Sequence, residues 1–379
     1  MNKNLVWINV CEASADAYGA ILMKELQKRS PGIEIAGMGG PAMRSAGLDS
    51  VFKAEDLSIV GFTEVFSSLP RIFGYLRAIK KALREKRPAA LILMDAPDFN
   101  FRLARMAYYL GIPVMYYIAP QVWAWRKSRV NFLKKYVDRI ACIFPFEQDF
   151  FREHGIKADF VGHPVMEMLN LAELRKITPS PGNIAILPGS RKKEISSLLK
   201  DFSAAATSLR RDNQSMTFNV IQAPGISRSY LNQFCPSKPW FRYIPFEKRY
   251  EFIRKSNMAI AASGTVTLEC AILETPTIVA YRLSPMSYLL GRMLIHVKHI
   301  SMANLILKKE VFPEFIQSEA SSENLAEAVR TWIKEPHKMD EVKQSLKEVV
   351  RLLGKTSATR KSADIVFEMI SKGKKYAKN

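Results

Sequence analysis

Short apolar runs, each followed by a segment of helical periodicity, recur along this chain and constrain its fold more than any other feature. In the first half they are LVWINV, IEIAGMG, ALILMD, PVMYYIA, RIACIF and ADFVG; in the second they are IAILPG, TFNVIQAP, MAIAAS and PTIVAY. Such alternation predicts βαβ units and mostly parallel sheets. Between the two sets, LRKITPSPGN at 174–183 is polar and carries proline and glycine, which marks a boundary. At 379 residues the chain exceeds one hydrophobic core. The expected domains are 1–170, 171–350 and a C-terminal helix with a basic tail, 351–379, that packs back on the first. Two α/β domains of this kind enclose a cleft, with one ligand held by each.

Several classes are excluded. Cys11, Cys142, Cys235 and Cys270 have no Cys-x-x-Cys spacing, which argues against a zinc site or a disulfide scaffold. No window holds 18 uninterrupted apolar residues, and MNKNLVWINV reads as a first strand rather than a signal peptide. GMGGPAMRSAG lacks dinucleotide-binding spacing, and there is no Walker A motif.

The formal net charge of +20 predicts attraction to polyanions without choosing among nucleic acid, anionic lipid and phosphorylated substrate. After Pro70, RIFGYLRAIKKALREKR places Ile72, Phe73, Leu76, Ile79 and Leu83 on one helical face and most of its basic residues elsewhere. That pattern serves either a membrane-surface helix or a core-facing helix with a solvated basic side. On the pattern alone the core-facing reading leads, and the upstream VGFTEVFSSL, with Phe66 and Leu69, apolar for a loop, narrows that lead.

Candidate chemistry sits at strand ends. In LILMDAPDFN an apolar strand runs into Asp95 and Asp98, which either face a ligand or, for Asp98, cap the next helix. CEASAD after the first strand adds Glu12 and Asp16 to the same cleft, supplying a general base more readily than a metal loop. In LPGSRKKEI, Gly189 permits a tight turn, and Ser190 and Arg191 offer a hydroxyl and a planar fork to phosphate at a helix start. SGTVTLECA repeats the design with Ser263, Gly264 and Thr265, and Glu269 one turn on can accept from sugar hydroxyls. A plain turn and a self-serving cap are the alternatives. Trp123 and Trp125, beside basic residues, belong either to a stacking surface or to the core. His163 reads as a hinge or packing residue.

Together EASAD, MDAPDFN, PQVWAWR, FPFE, FVGHP, LPGSRKKEI and SGTVTLE, in that order, resemble the lipid A disaccharide synthase family. The resemblance implies an α/β fold of GT-B type, two Rossmann-like domains facing across a cleft. The implied reaction is an inverting transfer of 2,3-diacylglucosamine from UDP-2,3-diacylglucosamine to 2,3-diacylglucosamine 1-phosphate, giving a β-1,6-linked disaccharide 1-phosphate and UDP. Inversion needs one base, expected at Asp95, with Glu12 and Asp98 as alternatives or supports. The resemblance places UDP at Gly189, Ser190, Arg191, Ser263, Gly264, Thr265 and Glu269, and adds Asn304, Glu314 and Gln317 from SMANLILKKEVFPEFIQ to the donor pocket. No metal and no cofactor are implied, and no nucleic-acid partner. Acylated substrates further imply docking at the cytoplasmic face of the inner membrane through Phe66, Leu69, Ile72, Phe73 and Leu76; pairing as a homodimer is left open. Cys11 and Ala15 stand where the family has glycines, Ala303 replaces a proline, and Leu307-Lys308-Lys309 replaces a more typical Ala-Gly-Arg. The competing functions are another GT-B enzyme using UDP-N-acetylglucosamine with a lipid acceptor, a UDP-sugar epimerase, and a non-catalytic binder of lipid or nucleic acid.

Overall fold

A computed structural model describes residues 2–54, 65–123, 128–283, 298–354 and 357–373. The chain forms two compact units, one of residues 1–167 with 355–379 and the other of 168–354. In the first, β1 (Asn2–Asn9), β2 (Glu34–Gly39), β3 (Asp49–Lys53), β4 (Pro88–Met94), β5 (Val114–Tyr117), β6 (Arg139–Cys142) and β7 (Ala158–Phe160) make a seven-stranded sheet ordered β3-β2-β1-β4-β5-β6-β7. Every pair is parallel. In the second, β8 (Ser180–Leu187), β9 (Thr217–Ile221), β10 (Phe241–Ile244), β11 (Ser256–Ala262), β12 (Thr277–Tyr281) and β13 (Glu314–Ile316) form a parallel six-stranded sheet, β10-β9-β8-β11-β12-β13.

Each central strand is apolar because helices cover both faces of a parallel sheet. PAALILM of β4 is buried along its whole length, and Trp7 and Ile8 of β1 are inaccessible. Three strands had no apolar run to announce them, β3, β10 and β13, and all three are sheet edges. The polar segment runs into the second sheet. Ser180, Pro181 and Gly182 already belong to β8, and Gly182 takes φ +78° where the β8–β11 register shifts. Pro and Gly here accompany an irregular strand start. The last helix, Ala358–Lys372, packs on Ala13–Arg29 in the first unit, and Arg29 ties them through Asp364 at 2.5 Å.

The helix Val65–Lys86 begins ahead of Pro70 and carries it inside. Leu76, Ile79 and Leu83 are buried in the core beneath the sheet, and Ile72 packs against that core. The expectation that Leu76 faces a membrane is therefore corrected, because its side chain is buried in that core; Ile72 is only partly buried against it. Phe73 is 50% exposed, with the Arg102 guanidinium 5.7 Å from its ring centroid. The side chains of Phe66 and Leu69, and Trp125, lie outside the described residues. No helix among the described residues is long and apolar enough to cross a membrane.

Candidate active site

Both sheets reverse their strand order about one central pair, β1 with β4 and β8 with β11. Ligands of open α/β sheets bind at the carboxyl ends of such pairs, where the outgoing loops diverge.

In the first unit Asn9 of β1 lies beside Leu93 of β4. Beyond them the chain turns sharply at Asp95 (φ +56°) and Ala96 (φ +33°) before the helix Pro97–Tyr109. Left-handed backbone at a non-glycine residue costs about 1–3 kcal/mol and persists only where the surroundings impose it. The turn lays the Asp95 carboxylate against the next loop, where it accepts from the backbone N–H of Cys11 (3.2 Å) and Glu12 (2.8 Å). Burial pushes the Asp95 carboxyl well above the ordinary carboxylate range, and the Glu12 charge adds to this, while the two amides pull it down. A raised carboxyl holds a proton more tightly, which is what proton abstraction needs.

Glu12 is exposed beside Asp95. Asp98 is exposed in the first helical turn, paired with Arg129, and does not cap the helix, whose N-cap Ala96 has no side-chain bond. The placement of Asp16 with these carboxylates is corrected. It is buried and accepts from Gly40 (2.7 Å), Ala42 (2.8 Å) and Met43 (3.1 Å), capping the helix Pro41–Ser45. The glycine-rich GMGGP thus binds an internal carboxylate. Cys11 and Ala15 both avoid positive φ, so neither position demands glycine for its backbone.

Beneath Asp95 lie groups that the strand pattern did not single out. The Asn100 amide donates to the carbonyls of Met94 (2.7 Å) and Asp95 (3.0 Å) and accepts from Asn9 (2.8 Å). The Tyr116 hydroxyl donates to the Asp95 carbonyl at 2.5 Å. Further along, Glu147 is buried and accepts from the amides of Ile143 and Phe144 and from the Trp123 indole at 3.0 Å. His163 is buried against the rings of Tyr18 and Phe144, and burial lowers its pKa to about 3, so it is a neutral packing residue.

In the second unit the loops after β8 and β11 start the helices Lys192–Asp212 and Thr265–Ile272. Gly189 has φ +105°, and a Cβ there would lie 2.7 Å from Glu194 Oε2. Arg191 is exposed, 3.6 Å from Glu194. The backbone N–H groups of Ser190 and Arg191 already donate to Glu194 at 3.1 and 3.3 Å, an internal cap the motif reading missed although its pattern was in LPGSRKKEI. At the neighbouring helix start Gly264 supplies no side-chain cap, and Ser263 Oγ donates to the Ile300 carbonyl. Glu269 is buried and accepts from Tyr250 (3.0 Å) and Arg249 (3.3 Å), whose guanidinium lies 3.8 Å from the ring centroids of both Phe246 and Tyr250.

Three donor-pocket expectations take a different form. Asn304 is fully buried, donates to the Phe312 carbonyl and Glu314 and accepts from Val311 and Phe312, so it braces a loop instead of presenting its amide. Glu314 accepts from the amides of Ile300 (2.9 Å) and Ser301 (2.8 Å), and Gln317 holds the amide and carbonyl of Leu283. Amide–carbonyl saturation of this kind fixes backbone.

Two parallel-sheet Rossmann-like units, each with polar side chains at its switch point, correspond to the GT-B type of α/β fold. Solved structures of the same fold include UDP-GlcNAc 2-epimerase from Neisseria meningitidis bound to UDP-GlcNAc (TM-score 0.63, 13% identity, 97% of this chain and 99% of that one). Another is the calicheamicin glycosyltransferase CalG4 (TM-score 0.60, 14% identity, 100% of both chains). At these identities the likeness is one of fold alone. Sequence goes further. The chain belongs to the lipid-A-disaccharide synthetase family, whose model matches residues 6–369. Relatives named lipid-A-disaccharide synthase include those of Myxococcus xanthus, 37% identical over 96% of this chain and 97% of that one, and Syntrophus aciditrophicus, 37% identical over 98% and 99%. The family is one of glycosyltransferases acting in lipid A synthesis on a UDP-sugar donor and a lipid acceptor.

Proposed function

We propose that this chain transfers 2,3-diacylglucosamine from UDP-2,3-diacylglucosamine to 2,3-diacylglucosamine 1-phosphate, producing the β-1,6-linked disaccharide 1-phosphate and UDP with inversion. The observation that carries the reading is Asp95: a carboxylate raised by burial, held on two amides at the switch point of the first sheet. Asp95 takes the proton of the acceptor 6-hydroxyl as that oxygen bonds to the anomeric carbon and the bond to the UDP oxygen breaks. Glu12 raises the basicity of Asp95, and Asp98 with Arg129 lines the same helix start.

The second unit holds the donor. Arg191, exposed beside the Gly189–Ser190 turn, and the amide start at Gly264 and Thr265 offset the charge that develops on the leaving diphosphate. Glu269 meets the ribose, oriented by Arg249 and Tyr250. Asn304, Glu314 and Gln317 shape this pocket through the backbone that they hold.

Acylated substrates call for access to a bilayer, and the first unit docks at the cytoplasmic leaflet of the inner membrane. Support comes from exposed Phe73, capped by Arg102, and from the exposed cations Arg71, Arg77, Lys80, Lys81 and Arg84 on the same helix. Phe73→Ser is expected to reduce co-sedimentation with anionic vesicles; unchanged sedimentation would remove this helix from docking.

The reaction is tested by UDP release from UDP-2,3-diacylglucosamine with and without 2,3-diacylglucosamine 1-phosphate, in detergent and EDTA. Acceptor-dependent release with a disaccharide product is expected. Release without acceptor would favour hydrolysis or epimerisation and overturn the assignment. In the same assay Asp95→Asn should lower kcat about 10²–10⁴-fold with donor affinity retained.

A further inference from the structure

Asp95 owes its place to a backbone conformation that an aspartate does not adopt by choice. Its φ of +56° and the +33° of Ala96 throw the side chain back across the end of β4 onto the Cys11 and Glu12 amides. Two fully buried side chains meet at the Asp95 carbonyl from different elements. Tyr116 reaches it from β5 with a hydroxyl at 2.5 Å, and Asn100 reaches it from the following helix at 3.0 Å while also holding the Met94 carbonyl at 2.7 Å. Asn100 is itself oriented by Asn9 of β1 at 2.8 Å. Neighbours on both sides of β4 and the helix after it thus converge on one peptide group.

We infer that Asn100 and Tyr116 are positioning residues for the reaction, a two-sided clamp on the Asp95 carbonyl that keeps the carboxylate on the Cys11 and Glu12 amides. The clamp works through geometry, because neither side chain touches the carboxylate. Burial raises the Tyr116 phenol well above its ordinary value, so it stays protonated and donates. A carbonyl held by both donors cannot rotate, and the Asp95 Cα–Cβ vector is fixed with it. Misplacement of a reacting group by about 1 Å costs on the order of 10²-fold in rate.

The inference rests on Asp95 as the base, and the test separates the two claims. Tyr116→Phe removes one oxygen and keeps the ring against Phe101. It is expected to lower kcat about 10²-fold while the KM for UDP-2,3-diacylglucosamine stays within about twofold. Asn100→Asp, of equal size but without the amide donor, should fall at least as far. The same Tyr116→Phe change made in Asp95→Asn should have no further effect, since there is no longer a base to position. Wild-type kcat in Tyr116→Phe, or an equal loss with and without Asp95, would overturn the clamp and leave Asp95 as base. Wild-type turnover in Asp95→Asn would overturn both.

Discussion

Glu147→Gln probes the buried carboxyl that joins the tryptophan-bearing motif to the sheet. Burial raises Glu147 from an ordinary 4.5 to about 7, against the pull of the Phe144 amide, the Trp123 indole and the Ile143 amide. Between those two values the carboxyl is protonated in the native state while already ionised in the unfolded chain. Its contribution is therefore fully present below pH 4.5 and is lost as pH rises through about 7. At 1.36 kcal/mol per pH unit the full effect is about 3 kcal/mol, of which about 2–3 kcal/mol falls between pH 5 and pH 8. Glutamine keeps an acceptor oxygen for the two amides but cannot ionise, and its NH₂ meets the Trp123 N–H at a cost independent of pH. The assay is urea unfolding of wild type and variant at pH 5 and pH 8, followed by tryptophan fluorescence. The wild-type-minus-variant stability should drop by about 2–3 kcal/mol over that interval. A difference that is the same at both pH values would refute the argument, because it would show that Glu147 is ionised in the native protein throughout.

The remaining outcomes concern the caps and pairs that hold the two sites. Asp16→Ala strips the acceptor from three amides and should cost about 3 kcal/mol in denaturant unfolding, with Asp16→Asn intermediate. Gly189→Ala meets both a positive φ and the Glu194 carboxylate; thermal unfolding should show a loss of about 1–3 kcal/mol. In steady-state kinetics the same variant should raise the donor KM and leave the acceptor KM unchanged. Glu269→Ala leaves the Arg249 guanidinium buried without its carboxylate and should destabilise by about 3–5 kcal/mol, with UDP affinity by calorimetry falling as well.

The legible part of the fold was its interior. Runs such as ALILMD and MAIAAS announced central strands because a parallel strand covered on both faces has only apolar positions to fill. Three of the four edge strands escaped, since DSVFK, FRYI and EFI need satisfy one neighbour and carry charged or exposed residues, while the fourth, β7, was announced by ADFVG. The same logic misled at the helix Val65–Lys86. An amphipathic stripe has one period whether it meets a sheet or a bilayer, and only packing showed that Leu76, Ile79 and Leu83 belong to the core. Among the site residues, types were readable and directions were not. Asp16 and Asp95 are both acidic residues at strand ends, yet one caps a short helix and the other stands on two amides at the switch point.

By its order of apolar runs and motifs, the chain alone determined two α/β units and its family, because periodicity and local turn chemistry are properties of neighbours in sequence. Tertiary structure alone decided which side chains act together. Asp95 meets Cys11 across 84 positions of chain, and Tyr116 reaches the Asp95 carbonyl across 21, because β1, β4 and β5 lie side by side in the sheet. Strand order brings those atoms within a hydrogen bond of each other, and no periodicity along the sequence encodes that distance.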